Sequence, residues 1–572
     1  MKGIKKMKIK YNEAKEFDNI KEMMQDAVEK YSENIAFTIK HKNEKKIQYE
    51  NITFKKFGED LNAFGTSLLK LGLKDKKIIV ISKNRYEWVV AHLSVINGVG
   101  ISVPLDKGLT EVEIENSVKI SEADAIIFEK EYIDIVKKMR NEGTTLKTFI
   151  CMDNVEENVE TMEDLIEKGN TLLAEGDREY LDAEINSDTM SILLFTSGTT
   201  SASKGVMLSH KNIVSNVYGL DSWEKVYPTD VNIAFLPYHH TFGSTAQIYI
   251  THCGAKTVYC DGLRHIQDNL KEYKVTMFVC VPLIIESMYK KIMTTVEKQG
   301  KTKIIKFGLK LSKFLLKFGI DIRRKLFKQI IENLGGELRF IISGASAIDR
   351  KVAESFNDFG FLTVQGYGLT ETAPVLFAEN ENHIRYGSVG LPLRNVEAKI
   401  VNPNEEGIGE VVVKGPNVML GYYKNDEETN KVLKEGWFYT GDLGYMDKDG
   451  FLFITGRKKN VIVLKNGKNI YPEEIEQLVN NLSYVAESMV FGKEKGDDLL
   501  LSLKIVYNKD YINEKYPNIS EEELKEIIWK DVKDINATLP TYKYIKNLII
   551  TDKPMVKTTT QKVKRFEEIK KL

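Results

Sequence analysis

Between Ile192 and Val206 the chain reads Ile-Leu-Leu-Phe-Thr-Ser-Gly-Thr-Thr-Ser-Ala-Ser-Lys-Gly-Val. Hydroxyls at Thr196, Ser197, Thr199 and Thr200, glycines at Gly198 and Gly205, and the cation Lys204 all fall within one short loop. Inward-pointing N–H groups, hydroxyls and a lysine offset several negative oxygens at once, which is what a polyphosphate requires. The kinase-type P-loop needs Ser or Thr directly after its Gly-Lys pair. Here Gly205 follows Lys204, so that pattern fails. A polar surface turn has a similar composition, and the rest of the chain must separate the two readings.

Other stretches carry chemistry-bearing residues. In Phe235-Leu-Pro-Tyr-His-His-Thr-Phe-Gly243, two histidines sit among aromatics. They suit a substrate pocket, or a turn with one packed and one exposed ring. A metal is not expected there, because adjacent residues rarely point at one ion and no third ligand is nearby. Leu338 to Ser346 and Leu362 to Glu371 each run from a strand into a tight turn. Gly436-Trp-Phe-Tyr-Thr-Gly-Asp442 places a carboxylate after a glycine turn. Such a carboxylate suits vicinal ribose hydroxyls, or equally a helix cap. Gly456-Arg-Lys-Lys-Asn460 and Lys557-Thr-Thr-Thr-Gln-Lys562 are basic runs that read, taken alone, as a solvated turn and a tail.

The elements that must position these groups alternate between strand and helix. Lys77 to Ser82, Arg85 to Ile96 and Val99 to Leu105 form a βαβ unit, so a parallel sheet is expected. Ala123 to Phe128 and Lys147 to Met152 continue it, Ser209 caps a helix, and Thr276 to Leu283 is a buried strand followed by a helix from Ile284 to Ile292. Gly409 to Lys424 reads as a small β-subdomain. From Lys303 to Phe318 a helical wheel gathers Lys306, Lys310, Lys313 and Lys317 into one stripe, with Ile304, Leu311, Leu315 and Phe318 opposite. That pattern fits an anionic membrane surface, or a surface helix packed on its own domain.

The 572 residues exceed one typical core, so two or more domains are expected. Basic and acidic residues balance at 82 each, which argues against a nucleic-acid binder. Cys151, Cys253, Cys260 and Cys280 lack metal or disulfide spacing. Met1 to Lys10 has no signal-peptide core and no apolar run is of spanning length. The expected setting is the cytoplasm, with peripheral contact at the inner membrane surface as the extension of that reading.

Phe195 to Val206 resembles the phosphate loop of the adenylate-forming superfamily, whose members include acyl-CoA synthetases, luciferases and peptide-synthetase adenylation domains. The usual Thr-Ser-Gly-Thr-Thr-Gly-x-Pro-Lys-Gly has Ser201 and Ser203 here in place of glycine and proline. The other stretches follow in the family's order. Asn84 to Trp88 and Leu338 to Ser343 look most like long-chain fatty acyl-CoA ligases. The resemblance implies a large AMP-binding N-terminal domain (1–458) of α/β class with mixed sheets and a small β-subdomain, plus a small mobile α+β lid (459–572).

The resemblance also implies roles for particular residues. Thr196, Ser197, Gly198, Thr199, Thr200 and Lys204 would hold the phosphates. Gly344, Ala345 and Ser346 would approach the adenine, on which Tyr367 stacks. Gly368 and Thr370 would complete the nucleotide site, Glu371 would hold Mg²⁺, and Asp442 and Arg457 would bind the ribose and phosphate. His240 would face the reacting carboxylate. Lys459 would be the hinge, Lys468 would serve the coenzyme A step, and Lys562 would reach the α-phosphate, with Gln561 before it where the family has glycine. The activity implied is ligation of a fatty acid to coenzyme A through an acyl-adenylate, with ATP consumed. An adenylating enzyme for another acid or for a carrier protein, and a non-catalytic binder on the same fold, remain as alternatives. Lys204, Glu371, Asp442, Arg457 and Lys562 argue against the last.

Overall fold

The computed structural model describes residues 10–43, 46–141, 143–156, 159–196, 204–464, 468–495, 498–557 and 563–572. Six strands lie parallel in the order Leu362–Gly368, Phe340–Ser343, Met277–Cys280, Val231–Ala234, Lys256–Tyr259 and Ile35–Asn43. The two central strands, Met277–Cys280 and Phe340–Ser343, are almost continuously apolar, as strands covered on both faces must be. Antiparallel strands extend both edges, with Lys46–Thr53 on one side and Val375–Ala378 and Leu391–Pro392 on the other.

A second sheet contains the expected βαβ unit. Lys77–Ile81 runs parallel to Ile101–Leu105 and to Ala125–Phe128, and Thr148–Cys151 pairs outward from the latter. The connecting helix, Tyr86–Ser94, is shorter than its apolar pattern suggests and loosens into a π-turn over Val95–Val99. Gly98 at φ +144° cannot continue a helix. Met190–Thr196 joins this sheet parallel to Ile101–Leu105, and Lys204–Ser209 folds back antiparallel to it. Ser209 then caps His210–Asp221 in a reciprocal box with Asn212, as its position in the sequence suggests. The helix after Met277–Cys280 is longer than expected, Pro282–Lys298, and starts on the proline. Proline at a first turn forfeits no hydrogen bond.

Glycine-punctuated segments form the small β-subdomain: Glu397–Val401, Gly409–Lys414, Trp437–Met446, Leu433–Lys434 and Leu452–Arg457 share one antiparallel sheet. Beyond it, Val485–Lys495, Asp498–Tyr507 and Asn547–Thr551 form a three-stranded sheet. Its apolar core, including Leu503 and Ile505, packs with Ile475 and Val479 of Pro472–Asn480 and Ile528 and Val532 of Glu521–Thr538.

The lysine-striped segment is a helix, Thr302–Leu316, but its apolar residues divide in two. Gly308 and Ser312 are buried, and Ile305 and Leu309 pack on the neighbouring core. Ile304, Phe307 and Phe314, with Phe318 just beyond, stand exposed, Phe307 and Phe318 at 68% and 65%. Of the two readings the wheel allows, Ile304 and Phe318 follow the open one: they lie on the exposed side of the helix, away from the face that packs through Gly308 and Ser312. Lys313 is also set apart, because it pairs with Glu354 and Asp358.

The N-terminal ends of three central strands are tied by one carboxylate. Asp230, 3% exposed, accepts hydrogen bonds from Tyr227 N (2.8 Å), Thr276 Oγ1 (2.7 Å) and Arg339 Nε (2.9 Å). It thus precedes Val231–Ala234 and reaches the residues that precede Met277–Cys280 and Phe340–Ser343. Burial opposes its charge, but Arg339 and the neutral donors outweigh burial and hold the carboxyl below the ordinary value. Removing one partner of such a pair strands the other, so Asp230→Ala is expected to cost about 3 kcal/mol in denaturant unfolding. Because the folded pKa is depressed, this stabilisation is present above about pH 4, the unfolded value, and is lost as pH falls through the folded value. Asp230→Asn should accordingly flatten the acid limb of the stability profile.

Candidate active site

The C-terminal ends of the parallel strands converge where open α/β sheets bind ligands. Phe340–Ser343 opens into Gly344, Ala345 and Ser346, with Ala345 in the left-handed region at φ +74°. Leu362–Gly368 leads through Leu369 into the turn Thr370–Thr372, which carries Glu371. At Gly368 any Cβ would lie 1.8 Å from the Pro374 carbonyl oxygen, so only glycine allows the chain to double back there.

The β-subdomain contributes the groups that meet this edge. Asp442 and Arg457 are register partners on adjacent strands, and Arg457 Nε lies 2.8 Å from Asp442 Oδ1. The other oxygen of Asp442 accepts the Tyr367 hydroxyl at 2.7 Å. Three residues singled out from separate stretches of sequence thus form one cluster. Burial opposes the Arg457 charge, but Asp442, Tyr367 and Glu371 together raise its pKa. Burial and the Asp442 charge raise the Tyr367 phenol far above its usual value, keeping it a donor.

Glu371 and Lys204 are joined through a residue the sequence did not single out. Tyr422 donates its hydroxyl to Glu371 Oε1 (2.9 Å), and Lys204 Nζ lies 4.8 Å from the centre of the Tyr422 ring. Tyr422 reaches this position because Gly421–Tyr422 pairs antiparallel with Lys204–Ser209, a long-range pairing with no local signal. Lys204 also pairs with Glu428, which Lys204 and Lys431 together depress to about 2. Thr196 and Lys204 face each other across the hairpin. Ser197, Gly198, Thr199 and Thr200 lie outside the described residues, as does Lys562. Lys557 bridges Val563.

Glu371 makes no ion pair among the described residues, and only one of its oxygens accepts a side-chain hydrogen bond. A hard carboxylate oxygen beside the strand pair Met190–Thr196 and Lys204–Ser209 fits Mg²⁺.

His240 precedes the helix Thr241–His252 and lines a cavity of about 190 Å³. Thr241, Phe242, Gly344, Gly368 and Thr370 edge it at the strand ends, and Met277, Phe340 and Val364 line it further down. Asp106 corrects the expectation that no third ligand approaches the two histidines. Asp106, His239 and His240 bring one ligand atom each within 4.8 Å of one another, and His239 Nε2 is 3.3 Å from Asp106 Oδ2. Lys459 follows Arg457 in the turn Lys458–Asn460. Lys468 Nζ lies 4.4 Å from the centre of the Tyr542 ring, apart from this cluster.

Asp442→Ala would remove a buried carboxylate and leave a half-buried guanidinium and phenol without their shared acceptor. A loss of about 3 kcal/mol is expected in chemical denaturation, against about 1 kcal/mol for Tyr367→Phe, which removes one hydrogen bond.

Comparison with known proteins adds independent findings. The sequence profile of the AMP-binding enzyme family matches residues 24–423, and that of the AMP-binding enzyme C-terminal domain matches residues 459–571. The chain is 30% identical to long-chain-fatty-acid–CoA ligase 5 of Rattus norvegicus, over 91% of this chain and 82% of the relative. It is 26% identical to long-chain-fatty-acid–[acyl-carrier-protein] ligase AEE15, chloroplastic, of Arabidopsis thaliana, over 91% and 80%. Among solved structures, the anthranilate CoA ligase AuaEII in complex with anthranoyl-AMP shares the fold at a TM-score of 0.76 and 18% identity, covering 97% of each chain.

Proposed function

The chain belongs to the AMP-binding enzyme family, and from that premise we propose that it is an ATP-dependent fatty acid–coenzyme A ligase. The observation that carries the reading is one juxtaposition. The Tyr367–Asp442–Arg457 cluster and the Glu371–Tyr422–Lys204 group share an edge with a largely apolar cavity. A nucleotide at the cluster and an alkyl chain in the cavity bring a carboxylate and an α-phosphate together at His240, Gly344 and Thr370.

A carboxylate is a poor electrophile. In the first half-reaction its oxygen attacks the α-phosphorus of ATP, the bond to the bridging oxygen breaks, and pyrophosphate leaves. In the second, the coenzyme A thiol attacks the acyl carbon and AMP departs. Asp442 would accept the ribose hydroxyls, with Arg457 held against it. Lys204 would exchange Glu428 for phosphate oxygens, and Lys562 would offset charge at the α-phosphate. Glu371 would hold Mg²⁺, which supplies further offset of phosphate charge. We place the mobile lid at 459–572, with Lys459 as hinge and Lys468 in the thioester step.

The test is pyrophosphate release across a panel of acids, with and without coenzyme A. Fatty acids should surpass acetate and aryl acids, because each buried CH₂ contributes about 0.8 kcal/mol; equal efficiency for acetate and palmitate would count against a fatty acid. Pyrophosphate release independent of coenzyme A, with transfer to a carrier protein instead, would favour the second reading. Lys562→Ala should slow single-turnover adenylation by ~100-fold and leave thioester formation from synthetic acyl-adenylate nearly unchanged. Equal loss of both steps would remove that assignment.

The open face of Thr302–Leu316 supports a second element of the reading, peripheral attachment to an anionic bilayer. Ile304, Phe307, Phe314 and Phe318 form an exposed apolar stripe. Beside it run Lys306, Lys310 and Lys317, none of which makes an ion pair among the described residues, and no helix among those residues is long and apolar enough to cross a membrane. Aromatic insertion and a flanking basic stripe are complementary to such a surface. Lys306, Lys310 and Lys317 changed to Gln should weaken binding to anionic vesicles by more than about tenfold at low salt. Phe307→Glu with Phe314→Glu should abolish co-sedimentation. Failure of the unaltered protein to co-sediment would leave a surface helix only.

A further inference from the structure

The cavity is not apolar throughout. Thr245 is 1% exposed and lines it, and its Oγ1 has no hydrogen-bond partner among the described residues. It lies one helical turn from Thr241, at the strand-end edge, and one turn from Tyr249, whose hydroxyl donates to the Glu224 carbonyl (2.9 Å). Thr245 therefore sits midway along the cavity, and Glu224 marks its inner end. Glu379 lies at the same end. It follows Val375–Ala378, and its N–H donates to the Gln365 carbonyl (2.9 Å). Three residues of strand separate Gln365 from Gly368, a distance of ~10 Å. That is the reach of a medium-length alkyl chain anchored by its carboxylate at the strand ends.

Glu224 and Glu379 both line the cavity. Glu379 accepts the N–H groups of Gln365 (3.2 Å) and Arg385 (2.9 Å), and Glu224 those of Lys225 (3.0 Å) and Glu381 (3.1 Å). Each carboxylate oxygen has a second acceptor position. Burial raises both carboxyls, Glu379 to about 7, so near neutral pH its carboxyl both donates and accepts. A plain alkyl chain filling this space would displace water and leave a hydroxyl and two carboxyls facing CH₂ groups, an arrangement that costs binding. A chain with its own polar group would not.

On the reading of this cavity as the acyl pocket, we propose that the acid it takes carries a hydrogen-bond donor on its chain, a hydroxyl or an amine, received by Thr245 midway and by Glu224 and Glu379 at the inner end. Ser343 Oγ, also buried and without a partner among the described residues, lies at the strand end beside Gly344, where on this reading the nucleotide and carboxylate meet, and belongs to that chemistry instead.

The experiment compares kcat/KM for decanoate, its ω-hydroxy and ω-amino derivatives, a mid-chain hydroxydecanoate and palmitate. At least one substituted acid should exceed decanoate by about tenfold or more, since a site built to pair a polar group discriminates strongly against the analogue without it. The ω-hydroxy and ω-amino arms tell a neutral donor from a cation. Glu379→Gln should shrink the ratio of ω-substituted to plain acid. Thr245→Val should shrink the mid-chain ratio, and it removes no hydrogen bond the fold uses, so it stays informative if the Glu379 variant fails to fold. Decanoate or palmitate matching every substituted acid in the unaltered protein would overturn the proposal. If no acid supports pyrophosphate release, the ligase reading fails on its own, and calorimetric binding of the same acids still decides the cavity's preference.

Discussion

A single buried carboxylate, Asp442, holds the candidate site together. It is 4% exposed and has two oxygens, one taken by the Arg457 guanidinium and the other by the Tyr367 hydroxyl. Arg457 is its neighbour in the β-subdomain, whereas Tyr367 belongs to the end of a strand in the largest sheet. The carboxylate is therefore the joint between two sheets as well as a ligand candidate. Taken from water, a charge of this kind is costly unless it is paired and hydrogen-bonded. Here both conditions are met from opposite sides, so the two sheets cannot separate without exposing the cost.

The same logic repeats at the far end of the strands. Asp230 ties the starts of three parallel strands through Thr276 and Arg339, while Asp442 fixes the finish of a fourth. Three strands are thus tied at their starts and a neighbouring fourth at its finish, and the cavity runs alongside. This is how a pocket persists in a tightly packed interior: its walls belong to strands whose register is set elsewhere, so the side chains that line it need not close on one another to secure the fold.

The parallel βαβ unit, the Ser209 cap and the strand-to-turn motifs around Ser343 and Gly368 were legible in the sequence, because each rests on local apolar periodicity or on a capping residue. Glycine at 368 was visible as a letter, but its reason, a carbonyl 1.8 Å from any Cβ, comes from a later segment. Tyr422, Glu428 and Asp106 gave no signal, since each reaches the site through pairing between segments far apart in the chain. Helix Thr302–Leu316 shows another limit. A wheel separates apolar from charged residues, but it cannot tell which apolar residues meet protein. The neighbouring helices decided that, covering Gly308 and Ser312 and leaving Phe307 and Phe314 open.

The pairing of Lys204 with Glu428 bears on how a lysine can serve a phosphate and yet remain in place. Both side chains are about one-third exposed, at 30% and 29%, and pairs of that kind are worth little, roughly 0–1 kcal/mol. The Tyr422 ring under the ammonium adds a second modest attraction without a formal charge. The lysine is thus oriented toward the hairpin but not sequestered there. An incoming anion with several charges could displace Glu428 at small cost, and Lys431 remains to pair the carboxylate left behind. Glu371 is held by the hydroxyl of the same tyrosine. One aromatic residue therefore touches a cation with its ring and an anion with its hydroxyl, while the cation's formal ion pair is made elsewhere, to Glu428.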